Sequence, residues 1–207
     1  TTQFGLDYGI TNNYGKVSIE GARAILSHAQ RNHLQFLDTA QGYGNAEEVL
    51  GKAIDPLAPF RIISKLPPQE AASWGEVHID RWERDFQQSL SRLGRDSIDA
   101  LLLHRSADFH KPDRDLLLNW LQSLLDRKMV QRIGVSIYES RDLEGLPLER
   151  LQLVQLPLSI HDQRLLLDGT VHSLHRMGLS VHARSVFLQG LVMTEAEQWP
   201  EFLSSGF

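Results

Sequence analysis

Short runs of apolar residues alternate along this chain with longer segments in which apolar residues recur at helical spacing. Such alternation is typical of a parallel β-sheet covered by helices, either an open doubly wound sheet or a closed (β/α) barrel. Periodicity alone does not separate these two folds. With 207 residues, 42% of them hydrophobic, the chain is long enough for one sizeable core, so we expect one domain over residues 1–207. The strand-like runs cover residues 35–38, 61–65, 98–104, 132–136, 151–156 and 179–185, with residues 2–4 as a weak first strand.

The helical segments between these runs carry capping signals. Ser18 is a suitable N-cap for a helix that ends before His33, and Gly94 is a suitable C′ residue for a helix that contains Trp82. Two more helices are predicted around residues 49–54 and 117–125. A last helix over residues 166–177 is predicted to end at Gly178.

Charge and composition exclude several classes of partner. The net charge is -5, and no cluster of basic residues supplies the positive surface that nucleic acid requires. The chain has no cysteine, which excludes disulfides and thiolate metal sites. We see no signal sequence and no run of about 18 apolar residues that would span a membrane. We therefore expect a soluble, cytoplasmic protein, and the sequence does not indicate its oligomeric state.

Successive strand-like runs finish in polar side chains, namely Asp38, Lys65, His104, Ser136, Gln155 and Arg184. In a barrel the carboxyl ends of the strands meet at one rim, where such folds place their active sites. Each residue alone also has an ordinary structural interpretation. These are a turn or helix cap for Asp38, a solvated ammonium for Lys65, a satisfied interior position for His104 and packing for the loop residue Tyr43. Their joint occurrence at one rim favours chemistry.

At this point the chain resembles a known family, the aldo-keto reductases. The stretch FLDTAQGYGNAEEVLGKAI has the family's aspartate at a strand end, followed by a loop tyrosine, a glutamate and a Leu-Gly pair. Further matches follow in the family's order: IISK, SLSRLGRDSIDALLLH, RIGVS, LQLVQLPLS and VHARSVFLQGLV. The segment QFGLDYGITN is similar to a bacterial branch. The resemblance covers essentially the whole chain and implies a (β/α)8 barrel.

The resemblance also implies a reaction, the reduction of a small aldehyde or ketone by a nicotinamide cofactor. Tyr43 would donate its phenolic proton to the carbonyl oxygen, and the Lys65 ammonium would lower the Tyr43 pKa from its usual value of about 10. Asp38 would hold Lys65 charged and oriented, and His104 would hydrogen-bond to the carbonyl oxygen. Asp38, Tyr43, Lys65 and His104 are thus the expected catalytic residues.

For the cofactor we expect NADP(H) rather than NAD(H), bound by Asp38, Ser136, Gln155, Arg184 and Ser185. In the family pattern the serine and glutamine hold the nicotinamide carboxamide, and the pyrophosphate passes the loop that begins at Ser185. The chain departs from that pattern at two positions. Ile137 replaces a common asparagine, and Arg184 replaces a common aromatic ring, although a guanidinium can also stack. No strand is followed by G-x-G-x-x-G or a Walker lysine loop, so a Rossmann or P-loop site is not supported.

Alternative functions remain open at this stage. The same fold can serve as a regulatory subunit that senses cofactor without turnover. Lys65 could instead act as the Schiff-base nucleophile of a barrel aldolase. A metal-dependent hydrolase lacks support, because no His-x-His follows a strand. The natural substrate is not indicated, although Tyr8, Trp74 and Phe109 are candidates to line an apolar pocket.

The strand count predicts an incomplete barrel. With residues 2–4 as a first strand, the chain reaches only the seventh of eight strands. We therefore expect a truncated or partly ordered piece of a longer protein, with the four catalytic candidates clustered at the carboxyl-terminal rim. The loops after strands seven and eight often bind phosphate in such barrels. The adenosine end of the cofactor site is therefore expected to be absent.

Overall fold

The computed structural model describes residues 1–195 and Trp199. Six parallel strands form one sheet in which every strand pairs with its neighbours along the chain. Because this sequential order lacks the reversal point of a doubly wound sheet, the barrel prediction is confirmed. The strands are β1 (Phe36–Asp38), β2 (Arg61–Leu66), β3 (Ile98–Leu103), β4 (Val130–Ser136), β5 (Leu153–Pro157) and β6 (Ser180–Arg184).

Helices precede β1 and lie between the strands that follow it, with short 3-10 helices alone between β4 and β5. Ser18 caps the second helix as predicted, because its Oγ accepts a hydrogen bond from the Gly21 amide at 3.0 Å. Gly94 ends the fourth helix in the left-handed conformation, with φ +62°. Within the described residues, no helix is both long and apolar enough to cross a membrane. The helices are α1 (Thr2–Gly5), α2 (Ile19–Arg31), α3 (Ala46–Ala53), α4 (Glu76–Leu93), α5 (Arg114–Asp126), α6 (Arg164–Leu167) and α7 (Thr170–Arg176).

Two predicted elements differ from the structure. Residues 2–4 belong to α1, so the predicted first strand is wrong. This segment lies against the loop after β1, where a Cβ on Gly5 would be 1.7 Å from the carbonyl oxygen of Tyr43. The predicted last helix is divided into α6 and α7 at Gly169, whose φ of +84° is incompatible with a continuous helix.

The sheet curls strongly. Gln155 Nε2 on β5 donates to Asp38 Oδ1 on β1 at 2.8 Å, and the rings of Phe36 on β1 and His182 on β6 have centroids 4.8 Å apart. Neighbouring strands lie about 4.8 Å apart, so β1 and β5 would be separated by roughly 19 Å in a flat sheet. The six strands therefore wrap around a common interior.

Side chains from alternate strand positions divide between two buried clusters. The larger one contains Ile62, Leu101 and Val154 and continues into the helices that pack on one face of the sheet. The smaller cluster lies on the opposite, concave face and consists of Ile63, Ala100, Leu102 and Leu153. Both faces are thus apolar in the middle, which leaves polar strand residues for the two ends of the barrel.

The barrel is incomplete over the described residues. Six strands are two fewer than the eight of a complete (β/α) barrel. In residues 1–195, no further strand pairs with the outer edges of β1 and β6. An incomplete barrel was predicted, but with seven strands rather than six, because residues 2–4 are helical. The adenosine end of the cofactor site, predicted from segments beyond Phe207, lies outside the described residues.

Candidate active site

The carboxyl ends of the six strands carry the polar residues that the sequence singled out. Asp38, Ser136 and Arg184 are the last residues of β1, β4 and β6. Lys65 and Gln155 lie inside β2 and β5, and His104 directly follows β3. Because parallel strands end at the same edge, these side chains share one rim.

Lys65 is the centre of the site. Its side chain is 1% exposed, and Nζ donates to Asp38 Oδ1 at 2.7 Å and to the Thr39 carbonyl oxygen at 2.8 Å. Gln155 Nε2 donates to the same Asp38 oxygen at 2.8 Å. A buried ammonium is costly unless it is paired and hydrogen-bonded, and Asp38 and Thr39 meet both conditions.

Tyr43 and His104 complete a group of four residues at this rim. Tyr43 lies in the loop after β1, and its ring centroid is 5.9 Å from that of His104 in an edge-to-face arrangement. Lys65 Nζ is 5.4 Å from the centroid of the Tyr43 ring. The four predicted catalytic residues are therefore neighbours in the structure, and their roles remain predictions.

The ionisation of Tyr43 differs from the expectation. Burial, followed by the Asp38 carboxylate, raises the pKa of Tyr43 to about 12. The sequence-based expectation was a lowering by Lys65, so the net shift has the opposite direction. Burial and a nearby negative charge both disfavour the phenolate, and Tyr43 keeps its proton at neutral pH.

Burial lowers the pKa of two neighbours of Tyr43, Lys65 and His104. For Lys65, desolvation is the main cause and Asp38 opposes it. For His104, desolvation comes first and the Lys65 ammonium second, so the imidazole is neutral at pH 7. A neutral imidazole can donate one hydrogen bond without adding charge to the site.

The predicted cofactor residues occupy the other half of the rim. Ser136 and Gln155 are register partners on β4 and β5, each 2% exposed. Gln155 Oε1 is a buried acceptor without a hydrogen-bond partner among the described residues. Arg184 Nε lies 3.3 Å from Ser136 Oγ, and Ser185 turns the chain with φ +57°, which is uncommon for a residue other than glycine.

Two loops beside the catalytic group are joined by charged contacts that the sequence did not reveal. In the loop after His104, Asp108 is 3% exposed, accepts a hydrogen bond from Arg105 Nη2 at 3.1 Å and forms an ion pair with Lys111 Nζ at 2.8 Å. Both cations also donate to the carbonyl oxygen of Gln69 in the loop after β2. These contacts link positions about 40 residues apart, so no local sequence pattern predicts them.

Three aromatic residues were proposed to line an apolar pocket, and two of them belong to the core instead. Trp74 is 3% exposed and Phe109 is fully buried, both within the main apolar cluster. Tyr8 is 43% exposed. Within the described residues, no group of three or more His, Asp or Glu side chains is arranged to hold a metal ion.

The fold and the rim together define a (β/α) barrel with a Tyr, Lys, Asp and His group at the carboxyl ends of its strands. The model of the aldo/keto reductase family matches residues 3–201. The chain belongs to this family.

Individual relatives support the same assignment. The chain is 31% identical over 116 residues to an NAD/NADP-dependent indole-3-acetaldehyde reductase of Schizosaccharomyces pombe. The matched segment covers 53% of this chain and 37% of that relative. It is 24% identical over 169 residues to aldo-keto reductase yakc, named with NADP(+), of the same yeast, covering 75% and 49%. The chain thus spans less than half the length of these two curated relatives.

Solved structures agree on the fold. An aldo/keto reductase from Klebsiella pneumoniae in complex with NADP and acetate superposes with a TM-score of 0.66 at 25% identity, covering 83% of this chain and 60% of that one. The holo form of an aldo-keto reductase from Bacillus halodurans gives a TM-score of 0.72 at 21% identity, covering 95% and 66%.

Proposed function

We propose that this protein reduces an aldehyde or ketone to an alcohol with a reduced nicotinamide cofactor, and that Tyr43 is the proton donor. The observation that carries the proposal is that buried Lys65, its ion-pair partner Asp38, Tyr43 and His104 lie side by side at the rim of a family barrel. In its net effect such a reduction needs one hydride and one proton. The side chains of the rim account for the proton.

The residues present fit a nicotinamide carboxamide. Gln155 Nε2 donates to Asp38, and Gln155 Oε1 is buried with no hydrogen-bond partner among the described residues. Ser136 Oγ is buried and lies beside it on the neighbouring strand. An amide group brings both a donor and an acceptor and would satisfy these atoms. When bound, the cofactor supplies the hydride.

The chain's own residues would manage the proton and the carbonyl oxygen. With its pKa at about 12, Tyr43 holds a proton at neutral pH that it can give to an oxygen on which negative charge develops. The Lys65 ammonium, held by Asp38, would stabilise the phenolate left behind. Neutral His104 would donate a hydrogen bond that fixes the direction of the carbonyl. Ser185 would adjoin the pyrophosphate, as the family pattern implies.

NADP(H) is the proposed cofactor rather than NAD(H). Support comes from relatives, since one curated relative is named with NADP(+), another with NAD and NADP, and the Klebsiella structure contains NADP. The contacts of Lys65 argue for its role beside Tyr43 rather than as a Schiff-base nucleophile, because Nζ is already bonded to Asp38 and Thr39.

The test is oxidation of NADPH and of NADH by the full-length protein with a panel of aldehydes and ketones. We expect turnover with several carbonyl compounds and a lower KM for NADPH. Cofactor binding without turnover on any of them would favour a sensing role instead. A covalent adduct trapped on Lys65 by borohydride in the presence of a carbonyl compound would favour an aldolase.

A further inference from the structure

Arg184 is the last residue of β6, and all three nitrogens of its guanidinium donate hydrogen bonds at the rim. Nε donates to Ser136 Oγ at 3.3 Å, Nη2 to the carbonyl oxygen of Ile137 at 3.0 Å and Nη1 to Ser185 Oγ at 3.4 Å. All three acceptors are neutral. Over the described part of the chain Arg184 has no carboxylate within salt-bridge distance, so its positive charge is not balanced by a direct partner.

One face of this guanidinium is covered by an aromatic ring. Arg184 Cζ lies 4.0 Å from the centroid of Tyr138, a distance typical of stacking. The Tyr138 backbone is fixed, since its amide donates to Asp142 Oδ2 at 2.7 Å. Hydrogen bonds to a guanidinium lie in its plane, and Tyr138 occupies one side. No second aromatic ring lies over Arg184 among the described residues, so a planar partner could stack on the opposite face.

The Arg184 side chain adjoins the residues predicted to hold the nicotinamide. Arg184 contacts Ser136, and Ser136 pairs in register with Gln155, whose buried Oε1 lacks a partner among the described residues. The charge of Arg184 also reaches the catalytic group. For Lys65, desolvation and the Asp38 contacts have the larger effects on the pKa, and the charge of Arg184 lowers it further. For His104, desolvation, Lys65 and Asp38 come first, and Arg184 again lowers the pKa.

We propose that Tyr138 and Arg184 form a two-layer platform beneath the nicotinamide, and that the charge of Arg184 makes the site select the reduced cofactor over the oxidised one. This inference rests on the proposed function and deepens it. The nicotinamide ring is neutral when reduced and cationic when oxidised. An aromatic ring at this position would attract the cationic form, whereas a guanidinium repels it.

Selectivity is measured as the ratio of two dissociation constants, so the experiment does not depend on turnover. The experiment measures binding of NADPH by fluorescence and of NADP+ by calorimetry to the full-length protein. We expect Arg184→Met to lower the ratio Kd(NADP+)/Kd(NADPH) about fivefold, the effect of one unit charge near 4 Å in a well-solvated site. Arg184→Lys should keep the ratio near its original value, because it retains the charge, while weakening both affinities through loss of the planar stack.

Tyr138 is tested as a positioning residue. Tyr138→Leu should weaken binding of both forms and reduce the ratio by less than Arg184→Met does, because the guanidinium loses its support. Tyr138→Phe should restore both values. Arg176→Met on the outer helix α7 is the matched control and should change neither constant.

Each outcome is decisive. An unchanged ratio in Arg184→Met, in a protein that binds NADPH, would overturn the selectivity and leave the proposed function intact. Original constants in Tyr138→Leu would overturn the platform. Binding of neither cofactor form by the unmodified protein would overturn the proposed function itself, and this inference with it.

Discussion

Two charged clusters lie at opposite ends of the same strands, and they are built differently. Toward the amino ends, Asp99 accepts Arg61 Nε at 2.8 Å on one carboxylate oxygen and Arg132 Nε at 3.0 Å on the other. Both guanidinium groups lie over the ring of Phe36, with Cζ at 4.7 and 5.5 Å from its centroid. This amino-end cluster satisfies its buried carboxylate entirely from within.

The carboxyl-end rim has the same ingredients but leaves buried atoms unsatisfied. Its ion pair joins Lys65 to Asp38, and Asp38 is 38% exposed. Gln155 Oε1, Thr39 Oγ1 and Gln41 Nε2 are buried without a hydrogen-bond partner among the described residues. Because an unpartnered buried polar atom costs free energy, such atoms need an explanation. A saturated cluster stabilises the fold, whereas an unsaturated one marks a place that a ligand can complete.

The largest expected effect is a loss of activity caused by a change at the carboxyl-end rim. Tyr43→Phe keeps the ring and removes the proton, so carbonyl reduction should fall by at least about 10², while the Kd for NADPH and the free energy of unfolding stay nearly unchanged. Steady-state kinetics, cofactor titration and denaturant unfolding check the three parts. Wild-type turnover in this variant would contradict the assignment of Tyr43 as proton donor.

The next effect is a loss of stability caused by a change in the amino-end cluster. Asp99→Asn leaves Arg132, which is 15% exposed, without its buried carboxylate partner, and should reduce the free energy of unfolding by about 3 kcal/mol. Turnover per folded molecule should not change. Asp96→Asn, at an exposed position nearby, is the matched control. If Asp99→Asn instead lost activity at full stability, the two clusters would not be divided by role.

The sequence predicted the rim well because its information is local. Apolar strands that end in Asp38, Ser136 and Arg184 are visible as runs, and parallel strands bring their carboxyl ends together whatever the detailed packing. The division of the last helix also has a local signal, since Asp168-Gly169 is a typical turn dipeptide.

What the sequence did not predict depends on contacts between distant segments. A run of three residues carries no usable period, and residues 2–4 become helical where Gly5 packs against the loop of Tyr43. Arg105 and Lys111, both near Asp108, reach across to Gln69 in another loop, and the pKa of Tyr43 depends on its burial and on the charge of Asp38. The helix at residues 2–4, the loop contacts and the pKa of Tyr43 all depend on contacts that exist only in the folded chain.

A smaller effect concerns the ionisation of Tyr43. Burial and then Asp38 raise its pKa to about 12, so Asp38→Asn should shift that pKa downward by removing the carboxylate that disfavours the phenolate. The measurement is an alkaline titration of tyrosinate absorbance, with Tyr43→Phe subtracted to isolate this residue. The Asp99→Asn variant should leave the titration unmoved. An upward shift in Asp38→Asn would mean that Asp38 acts mainly by keeping Lys65 charged.

The smallest effect uses one histidine from each end. Burial is the main cause that lowers the pKa of both His104 at the rim and His182, whose ring packs against Phe36 of the amino-end cluster, below the ordinary value of 6.5. The unfolded chain therefore binds more protons than the folded one just below pH 6.5. The stability that each neutral imidazole contributes is complete above pH 6.5 and is lost as the pH falls through the lowered values.

Denaturant unfolding at pH 7.5 and pH 5.5 measures this loss in the wild type and in two variants. His104→Gln and His182→Gln should each reduce the difference in unfolding free energy between the two pH values, by less than about 1 kcal/mol because both side chains are partly solvated. The two variants should differ in turnover. His104→Gln should lower it, because the carbonyl loses its orienting hydrogen bond, and His182→Gln should not. Equal losses of turnover would show that the amino-end cluster takes part in the chemistry and is not only a stabilising contact.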